Sequence, residues 1–240
     1  VHPLRVSCGA TSAAAWWGPG IRNALLVSNN APGVPRFFVR TSKPVRGKWG
    51  AFDAELVSGA LTKSRFFSVD EVDFRTLSGF RFEWRPQFDS TLTFGFARVV
   101  YAPIATGESQ MLTTVSRSFD ALQRWNNQIS LSQSSDQISA LFARWIFPRA
   151  GFEVYGEWAR VLLPASIQSF MVAPHHSQGY TVGAQWLRAR ERGSPEWRGQ
   201  VELTMLEQPY QDRASVPPSF YVSPIVPQGY TQRGQVLGAA

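Results

Sequence analysis

Cysteine, charge and long apolar runs are scarce in this sequence of 240 residues. Cys8 is the only cysteine, which excludes an internal disulfide and a cysteine-based metal cluster. Only 17% of the residues are charged, against roughly 25% in soluble domains. No segment reaches the roughly 18–20 consecutive apolar residues that a membrane helix requires. If the chain enters a bilayer, it must do so as a β-barrel, because only helices and closed barrels satisfy their backbone there.

Motifs of the common catalytic and metal sites are also missing. The sequence contains no Gly-x-Ser-x-Gly nucleophile elbow, no glycine-rich phosphate loop and no His-Glu-x-x-His motif. The three histidines are His2 and the adjacent pair His175 and His176, whose side chains point apart on an extended chain. We therefore expect no catalytic residue, no metal ion and no cofactor.

Glu153 and Glu157 are the two carboxylates whose separation can be compared with that of a glycosidase's catalytic pair. On a strand they share one face, about 13 Å apart at a rise of roughly 3.3 Å per residue. A glycosidase holds its two carboxyl groups roughly 5–9.5 Å apart. Backbone spacing does not place these carboxyls at that separation, although the reach of the side chains leaves the question open.

The net charge is +7, from 24 basic and 17 acidic residues. A basic balance suits a nucleic acid, an anionic surface or an acidic ligand such as a charged polysaccharide. Arginine predominates and is scattered among the strand-like segments, without the dense basic block of a nucleic-acid arm. We expect no nucleic-acid partner.

Alternation of apolar and charged residues is the dominant pattern. Phe80, Phe82 and Trp84 alternate with Arg81, Glu83 and Arg85, so a β-strand here is aromatic on one face and charged on the other. The same period-2 alternation recurs in six other segments: 51–60, 92–98, 141–147, 153–158, 180–186 and 197–205. With the residues that flank the strict alternation, the segments run about ten residues, close to a tilted transmembrane strand.

This repetition predicts an all-β fold, an antiparallel transmembrane β-barrel or a large part of one, with roughly 10–12 strands. Several segments place an aromatic side chain near one end, as the interfacial girdles of such barrels do. The alternation alone leaves a second fold open, because the core of a soluble β-sandwich also accepts aromatics at strand ends.

Two regions interrupt the pattern. The polar segment 106–136 predicts a loop or short helix inside or over the barrel, with helical spacing from Ser118 to Trp125. The segment 208–228 contains five prolines and predicts a long loop. Both belong to a single, partial barrel domain over residues 1–240.

Four motifs occur in a fixed order. They are Trp16-Trp17-Gly18-Pro19-Gly20, then Leu25 to Pro35 with its Ser-Asn-Asn-Ala-Pro run, then Tyr155-Gly156-Glu157, and finally Gly229 to Gly238. In these motifs the sequence resembles the capsule assembly Wzi family of outer-membrane β-barrels. The resemblance implies a barrel that helps attach capsular polysaccharide to the surface of a Gram-negative bacterium, as a lectin and not as an enzyme.

The resemblance also predicts that the sequence is part of a longer protein. Family barrels are larger than 240 residues can build. The chain opens on Val1-His2-Pro3 without a signal peptide and ends on Gly238-Ala239-Ala240 directly after a strand-like segment. We expect an excised portion of a longer protein, without its signal peptide and later strands.

Eight residues are the candidate polysaccharide contacts. They are Trp16, Trp17, Asn29, Asn30, Arg81, Arg85, Tyr155 and Glu157. Aromatic rings stack on sugar rings, amides bond hydroxyls, and arginine attracts acidic groups. The structural alternatives are interfacial or turn packing for the tryptophans, a turn for the asparagines and a cross-strand charge ladder for the others.

Seven further residues are predicted to shape turns or backbone. They are Gly18, Pro19, Gly20, Gly229, Tyr230, Arg233 and Gly234. The charged side chains predicted to face the barrel interior are Arg81, Glu83, Arg85, Arg98, Arg144, Glu153 and Glu157.

The function predicted is non-enzymatic binding and assembly of capsular or exported polysaccharide. The partners are that polysaccharide and outer-membrane lipid, and we expect a monomer. A porin-like channel for small solutes is the second hypothesis. A soluble β-sandwich carbohydrate-binding module is the third.

Overall fold

An antiparallel sheet of ten strands forms the frame of the protein, seen here in a computed structural model. The structure describes residues 6–64, 66, 74–105, 107–123, 135–161, 177–188, 197–207, 220–223 and 226–239. The sheet contains β1 (Val6–Thr11), β2 (Arg36–Thr41), β3 (Val45–Gly47), β4 (Gly50–Thr62), β5 (Phe74–Pro86), β6 (Leu92–Pro103), β7 (Asp136–Phe147), β8 (Phe152–Val161), β9 (Gln178–Arg188) and β10 (Trp197–Glu207). The period-2 segments are therefore strands, and the all-β prediction is confirmed.

The strands follow one another as a meander. Their order is β1-β2-β4-β5-β6-β7-β8-β9-β10, with β3 paired to β4 alone. Every pairing is antiparallel. β1 and β10 are the two edges, so the described sheet is open. A small hairpin of β11 (Thr231–Gln232) and β12 (Gln235–Val236) stands apart from it.

The register gives the sheet two chemically different faces. On the outer face Phe82 lies opposite Phe96 and Trp84 opposite Phe94, and the rings of Trp84 and Phe94 stack with centroids 5.8 Å apart. Large apolar side chains remain exposed there, as with Val201, whose exposed fraction is 75%. Arg81 and its neighbours lie on the opposite, inner face. None of the described helices is long and apolar enough to cross a membrane.

The apolar core lies between the inner face and two irregular segments, which we call the plug: residues 12–35 and the described part of 220–239. Plug side chains in the core are Trp17, Leu25, Leu26, Phe220, Tyr221, Tyr230 and Leu237. Sheet side chains in the core include Val57, Leu77, Val99, Ile138 and Phe142. The described residues of the proline-rich segment 208–228 belong to the plug, and the rest lie outside the described residues, as do His2, His175 and His176.

Two short helices lie over the outer face. They are α1 (Gln110–Ser116) and α2 (Asp120–Gln123). Helical structure thus begins earlier than Ser118, and Trp125 lies outside the described residues. The difference has a tertiary cause: the Ser58 hydroxyl donates to the Thr114 carbonyl at 3.1 Å. Bonds to the strands, and not local periodicity, determine where this segment is helical.

A substitution at Gly95 tests how closely the side chains of the inner face are packed. A Cβ at this position would lie 2.0 Å from the ring of Phe142 on the neighbouring strand. We expect Gly95→Ala to lower the free energy of unfolding by about 1–3 kcal/mol, because overpacking displaces the ring. The measurement is urea-induced unfolding of the full-length protein in detergent.

Gly199→Ala is the matched control, since nothing lies within 4 Å of its Cβ position on β10. The control should be neutral or slightly stabilising. Equal stability of the two variants would show that the inner face is not packed as described.

Candidate functional site

The Trp16–Gly20 motif binds to the inner face of the sheet. The Trp17 indole N–H donates to Glu55 Oε2 at 3.1 Å, and its backbone N–H donates to the Val27 carbonyl at 2.9 Å. Its ring lies against Gly79, where a Cβ would come within 2.7 Å. Trp17 is 2% exposed. Its side chain is thus an internal anchor of the plug, and its ring is not available to a sugar.

Trp16 and the glycines of the motif shape the turn beside Trp17. The half-buried Trp16 donates its indole N–H to the Gly20 carbonyl at 2.9 Å. Gly18 has φ of 133°, and a Cβ there would lie 2.8 Å from Glu157 Oε2. Pro19, between Gly18 and Gly20, is half-buried. A side chain at position 18 would be both strained and blocked.

The carboxylate of Glu202, on the inner face of β10, holds the turn after this motif. Its oxygens accept the backbone N–H groups of Ile21 at 2.8 Å and Asn23 at 2.7 Å, and also that of Arg22. The Tyr155 hydroxyl donates to Glu202 Oε2 at 2.5 Å. Charge-assisted bonds of this kind are the stronger class. The sequence marks Glu202 only by its place on the polar side of a strand.

Glu157 lies beneath the plug. It is 3% exposed, and its Oε2 accepts the Leu25 backbone N–H at 3.1 Å. Tyr155, on the same face of β8, packs over Gly183, where a Cβ would come within 2.5 Å of the ring. The Tyr155-Gly156-Glu157 motif therefore supports the plug through both of its side chains.

The C-terminal part of the plug bonds to the N-terminal part. The Tyr221 hydroxyl donates to the Leu25 carbonyl at 2.8 Å and accepts the Ala239 N–H at 2.8 Å. The Ser28 hydroxyl donates to the Gly238 carbonyl at 2.7 Å. Burial raises the pKa of both Tyr221 and Tyr230, so these phenols keep their protons. Two distant motifs thus form one unit.

Arg75 of β5 anchors the Gly229–Gly234 region. Its guanidinium donates to the carbonyls of Gly229 at 2.7 Å and Thr231 at 3.0 Å. The β11–β12 turn contains Arg233 at φ 53° and Gly234 at φ 84°. Two successive positive φ angles are typical of a tight type I′ hairpin turn. No sequence pattern pointed to Arg75.

Beside the plug, the inner face carries a strip of paired charges. Arg81 lies 2.9 Å from Glu83, 3.5 Å from Asp53 and 3.6 Å from Glu55. Arg144 donates two bonds of 2.8 Å to the two oxygens of Glu153. We call this the polar strip: Asp53, Glu55, Arg81, Glu83, Arg85, Thr93, Arg144, Glu153, Gln185 and Gln200.

Arg85 differs from the other arginines of the polar strip. It is half-buried, and its guanidinium makes no hydrogen bond or ion pair with another residue that the structure describes. Its neighbour Arg81 is surrounded by three carboxylates. A guanidinium without a carboxylate partner retains its donors for a ligand.

Arg98 is not on the inner face, and its predicted position was wrong. It lies opposite Phe80 and Ser139, on the outer face with Phe96. The reason is the strand period: a residue two positions after Phe96 shares its face. The side chain is buried beneath α2, where Nε donates to Gln137 Oε1 at 3.0 Å.

The two asparagines lie at the surface of the plug. Both Asn29 and Asn30 are exposed. Asn30 donates its side-chain amide to the Val236 carbonyl at 2.9 Å, and its backbone N–H to the Ser28 hydroxyl. The structure does not bring them to the polar strip, because the anchors of the plug direct this turn toward β12.

The family assignment follows from a match over the complete chain. A model of the capsule assembly protein Wzi family matches residues 1–240. The chain belongs to this family. Among curated proteins, no sequence matches the chain.

One solved structure has a fold similar to that of this chain. It is the Escherichia coli outer membrane protein Wzi, described as a carbohydrate-binding β-barrel involved in group 1 capsule assembly. The TM-score is 0.65 at 15% sequence identity, over 98% of this chain and 47% of that chain. The chain thus spans about half the length of that Wzi. The fold prediction is confirmed: the open sheet is a large part of a Wzi-type barrel.

Glu202 provides the test of how the plug is held. We expect Glu202→Gln to destabilise the bound turn by about 1 kcal/mol, because an amide N–H₂ replaces one acceptor opposite backbone donors. Hydrogen–deuterium exchange of the full-length protein should therefore become faster at the amides of residues 21–23.

Glu207→Gln is the control on the same strand, since Glu207 accepts a hydrogen bond from Gln178 and makes none with the described residues of the plug. Its exchange rates at residues 21–23 should match the unmodified protein. Unchanged rates in Glu202→Gln would contradict the anchoring role.

Proposed function

We propose that the chain is part of an outer-membrane β-barrel that binds capsular or other exported polysaccharide on its inner face, without catalysis. The observation that carries this proposal is the polar strip beside a plug that the sheet itself holds in place. Because the plug is bonded to the sheet, it covers part of the inner face at all times. The polar strip beside it remains lined with charged and amide groups.

Placement in the outer membrane rests on the outer face. Soluble monomers rarely expose apolar patches larger than a few hundred Å². Here neighbouring strands expose large apolar side chains in successive rows: Phe94, Leu141, Trp145, Phe152, Val182, Trp186, Val201 and Leu203. A lipid environment removes the cost of that exposure. The β-sandwich hypothesis has no second sheet to cover this face among the described residues.

The polysaccharide contacts proposed fall on side chains that the structure leaves available. Arg85 has free donors, and Thr93 lies on the same face, as does Gln185, which donates its amide to Glu153 Oε2 at 3.1 Å. Trp16, Asn29 and Asn30 are the other predicted contacts that remain accessible, although the Asn30 amide already donates to the Val236 carbonyl. The contact between plug and sheet occupies three other predicted residues, Trp17, Tyr155 and Glu157. Their contribution to binding would be to position the plug. Polar groups that converge beside a fixed surface are the ordinary means of orienting a ligand.

The proposal that the protein is not an enzyme rests on the two candidate carboxylates. Glu157 is covered by the plug and bonded to a backbone amide. Glu153 accepts hydrogen bonds from Nε and Nη2 of Arg144. A glycosidase needs both carboxyl groups open to a glycosidic bond, and neither group here faces a shared opening.

Arg85 tests the binding proposal. We expect Arg85→Gln to weaken binding of the full-length protein to the purified capsular polysaccharide of its own strain. Loss of one charge-assisted hydrogen bond corresponds to about 1.5 kcal/mol, roughly tenfold in Kd. Isothermal titration calorimetry in detergent measures the change.

Arg149→Gln is the matched control, because Arg149 lies exposed in the 148–151 turn and changes the net charge equally. Binding equal to that of the unmodified protein is expected for it. If both variants weaken binding to the same extent, attraction is a general charge effect and the assignment of Arg85 fails.

Conductance separates this proposal from the porin-like alternative. The plug is tied to the sheet by Glu55, Glu157, Glu202 and Arg75. The full-length protein in a planar bilayer should therefore show no steady open-channel current. A stable ohmic current from the unmodified protein would favour the channel function.

A further inference from the structure

We propose that the segment 110–123, formed by α1 and α2, is a lipid-facing part of the barrel wall. Its polar side is bonded to the sheet, and its apolar side contacts the acyl chains of bilayer lipid. This inference rests on the proposed outer-membrane placement, and goes beyond it by assigning a lipid contact to a helical insertion.

The side of the segment that faces the sheet is polar. The Ser118 hydroxyl donates to the Ser58 hydroxyl at 2.9 Å. The Ser78 hydroxyl donates to the Ser118 carbonyl at 2.8 Å and accepts the Ala121 N–H at 3.2 Å. Outward-pointing serines of β4 and β5 thus satisfy the backbone of the segment at its bends. Such satisfaction is what a backbone in a low-dielectric setting requires.

The opposite side of the segment is apolar and uncovered. Leu112 is 72% exposed and Met111 is 67% exposed. Three more exposed apolar side chains continue this surface: Val115, Phe119 and Leu122. A helix on a soluble protein turns its apolar stripe toward the core. Here the orientation is reversed, which is unfavourable in water and favourable against hydrocarbon.

The charged side chains of this region also lie mainly on the side that faces the sheet. Asp120 is buried against the sheet, and Arg98 of β6 lies beneath α2 with Nη1 3.4 Å from the Ala121 carbonyl. Arg117 is the remaining charged side chain between residues 110 and 123. Asp120 and Arg98 are thus kept away from lipid, and the half-buried Arg117 is the one charge of the segment that lipid would disfavour.

The apolar side continues onto the outer face of the sheet. Phe37 of β2 lies opposite Ser58, so it shares the outer face beside α1, and it is exposed. Between them runs a cleft of about 670 Å³, with Phe37, Ala60, Met111 and Val115 among its lining residues. Arg36, Thr62 and Gln110 also line the cleft, but most of its surface is apolar. That surface and its continuity with the aromatic outer face identify an acyl chain as the occupant.

Quenching by brominated lipid tests the proposal. A bimane fluorophore is attached at Leu112→Cys in full-length protein without other cysteines. The protein is reconstituted in phosphatidylcholine bilayers with and without bromine on the acyl chains. We expect strong loss of bimane emission in the brominated bilayer.

Two controls use the same label. At Val201→Cys, on the outer face of β10, the proposed barrel placement also predicts quenching. At Arg149→Cys, in the 148–151 turn, emission should not change.

The outcomes are distinct. Quenching at positions 112 and 201 but not at 149 supports the lipid contact. Quenching at 201 without quenching at 112 overturns it, and leaves a protein partner as the occupant of that surface. Absence of quenching at 201 as well would show that the proposed membrane placement has failed.

Discussion

Docking of an irregular segment onto a charged sheet face is the constraint on which the structure depends. Apart from the β11–β12 hairpin, the plug is irregular, and its buried backbone donors and acceptors must be satisfied by other groups. The sheet supplies them from side chains. Glu202 and Glu157 accept N–H groups, Glu55 accepts an indole N–H, and Arg75 donates to carbonyls. Inward carboxylates and guanidinium groups therefore replace the partners that a helix or strand would supply itself.

The same constraint explains why small residues line parts of the inner face. Gly79 admits the ring of Trp17, and Gly183 admits the ring of Tyr155. Each aromatic anchor needs a flat stretch of sheet on which to lie, and a Cβ would remove it. Charge and small size on the inner face serve one purpose, which is to hold the plug against the sheet.

The outer face follows the opposite rule. Its large apolar side chains point away from the protein, and its polar side chains on β4 to β6, such as Ser58, Ser78 and Arg98, are covered by the segment 110–123. Low charge overall and high charge on one face are therefore two aspects of the same architecture. The protein is built with polar groups inside and apolar groups outside, as barrel proteins in lipid are.

The sequence alone predicted the positions of β4 to β10 and the inward or outward direction of most of their side chains, because the period of two is a local property. Phe82 and Trp84 against Arg81 and Glu83 are sufficient for that. It did not predict β1, β2 or β3. The motifs at 16–20 and 229–238 likewise identified the family. The error at Arg98 came from departing from this local rule, and not from a failure of the rule.

The plug and its anchors were decided only by tertiary structure. Ile21 and Glu202 are separated by 181 positions, and Leu25 and Tyr221 by 196. No local pattern records such a pair, so Trp17 and Tyr155 could not be distinguished from sugar contacts by residue type. The helix bounds also depended on distant serines. A side chain's role here depends on which surface comes to lie against it, and only the folded chain specifies that surface.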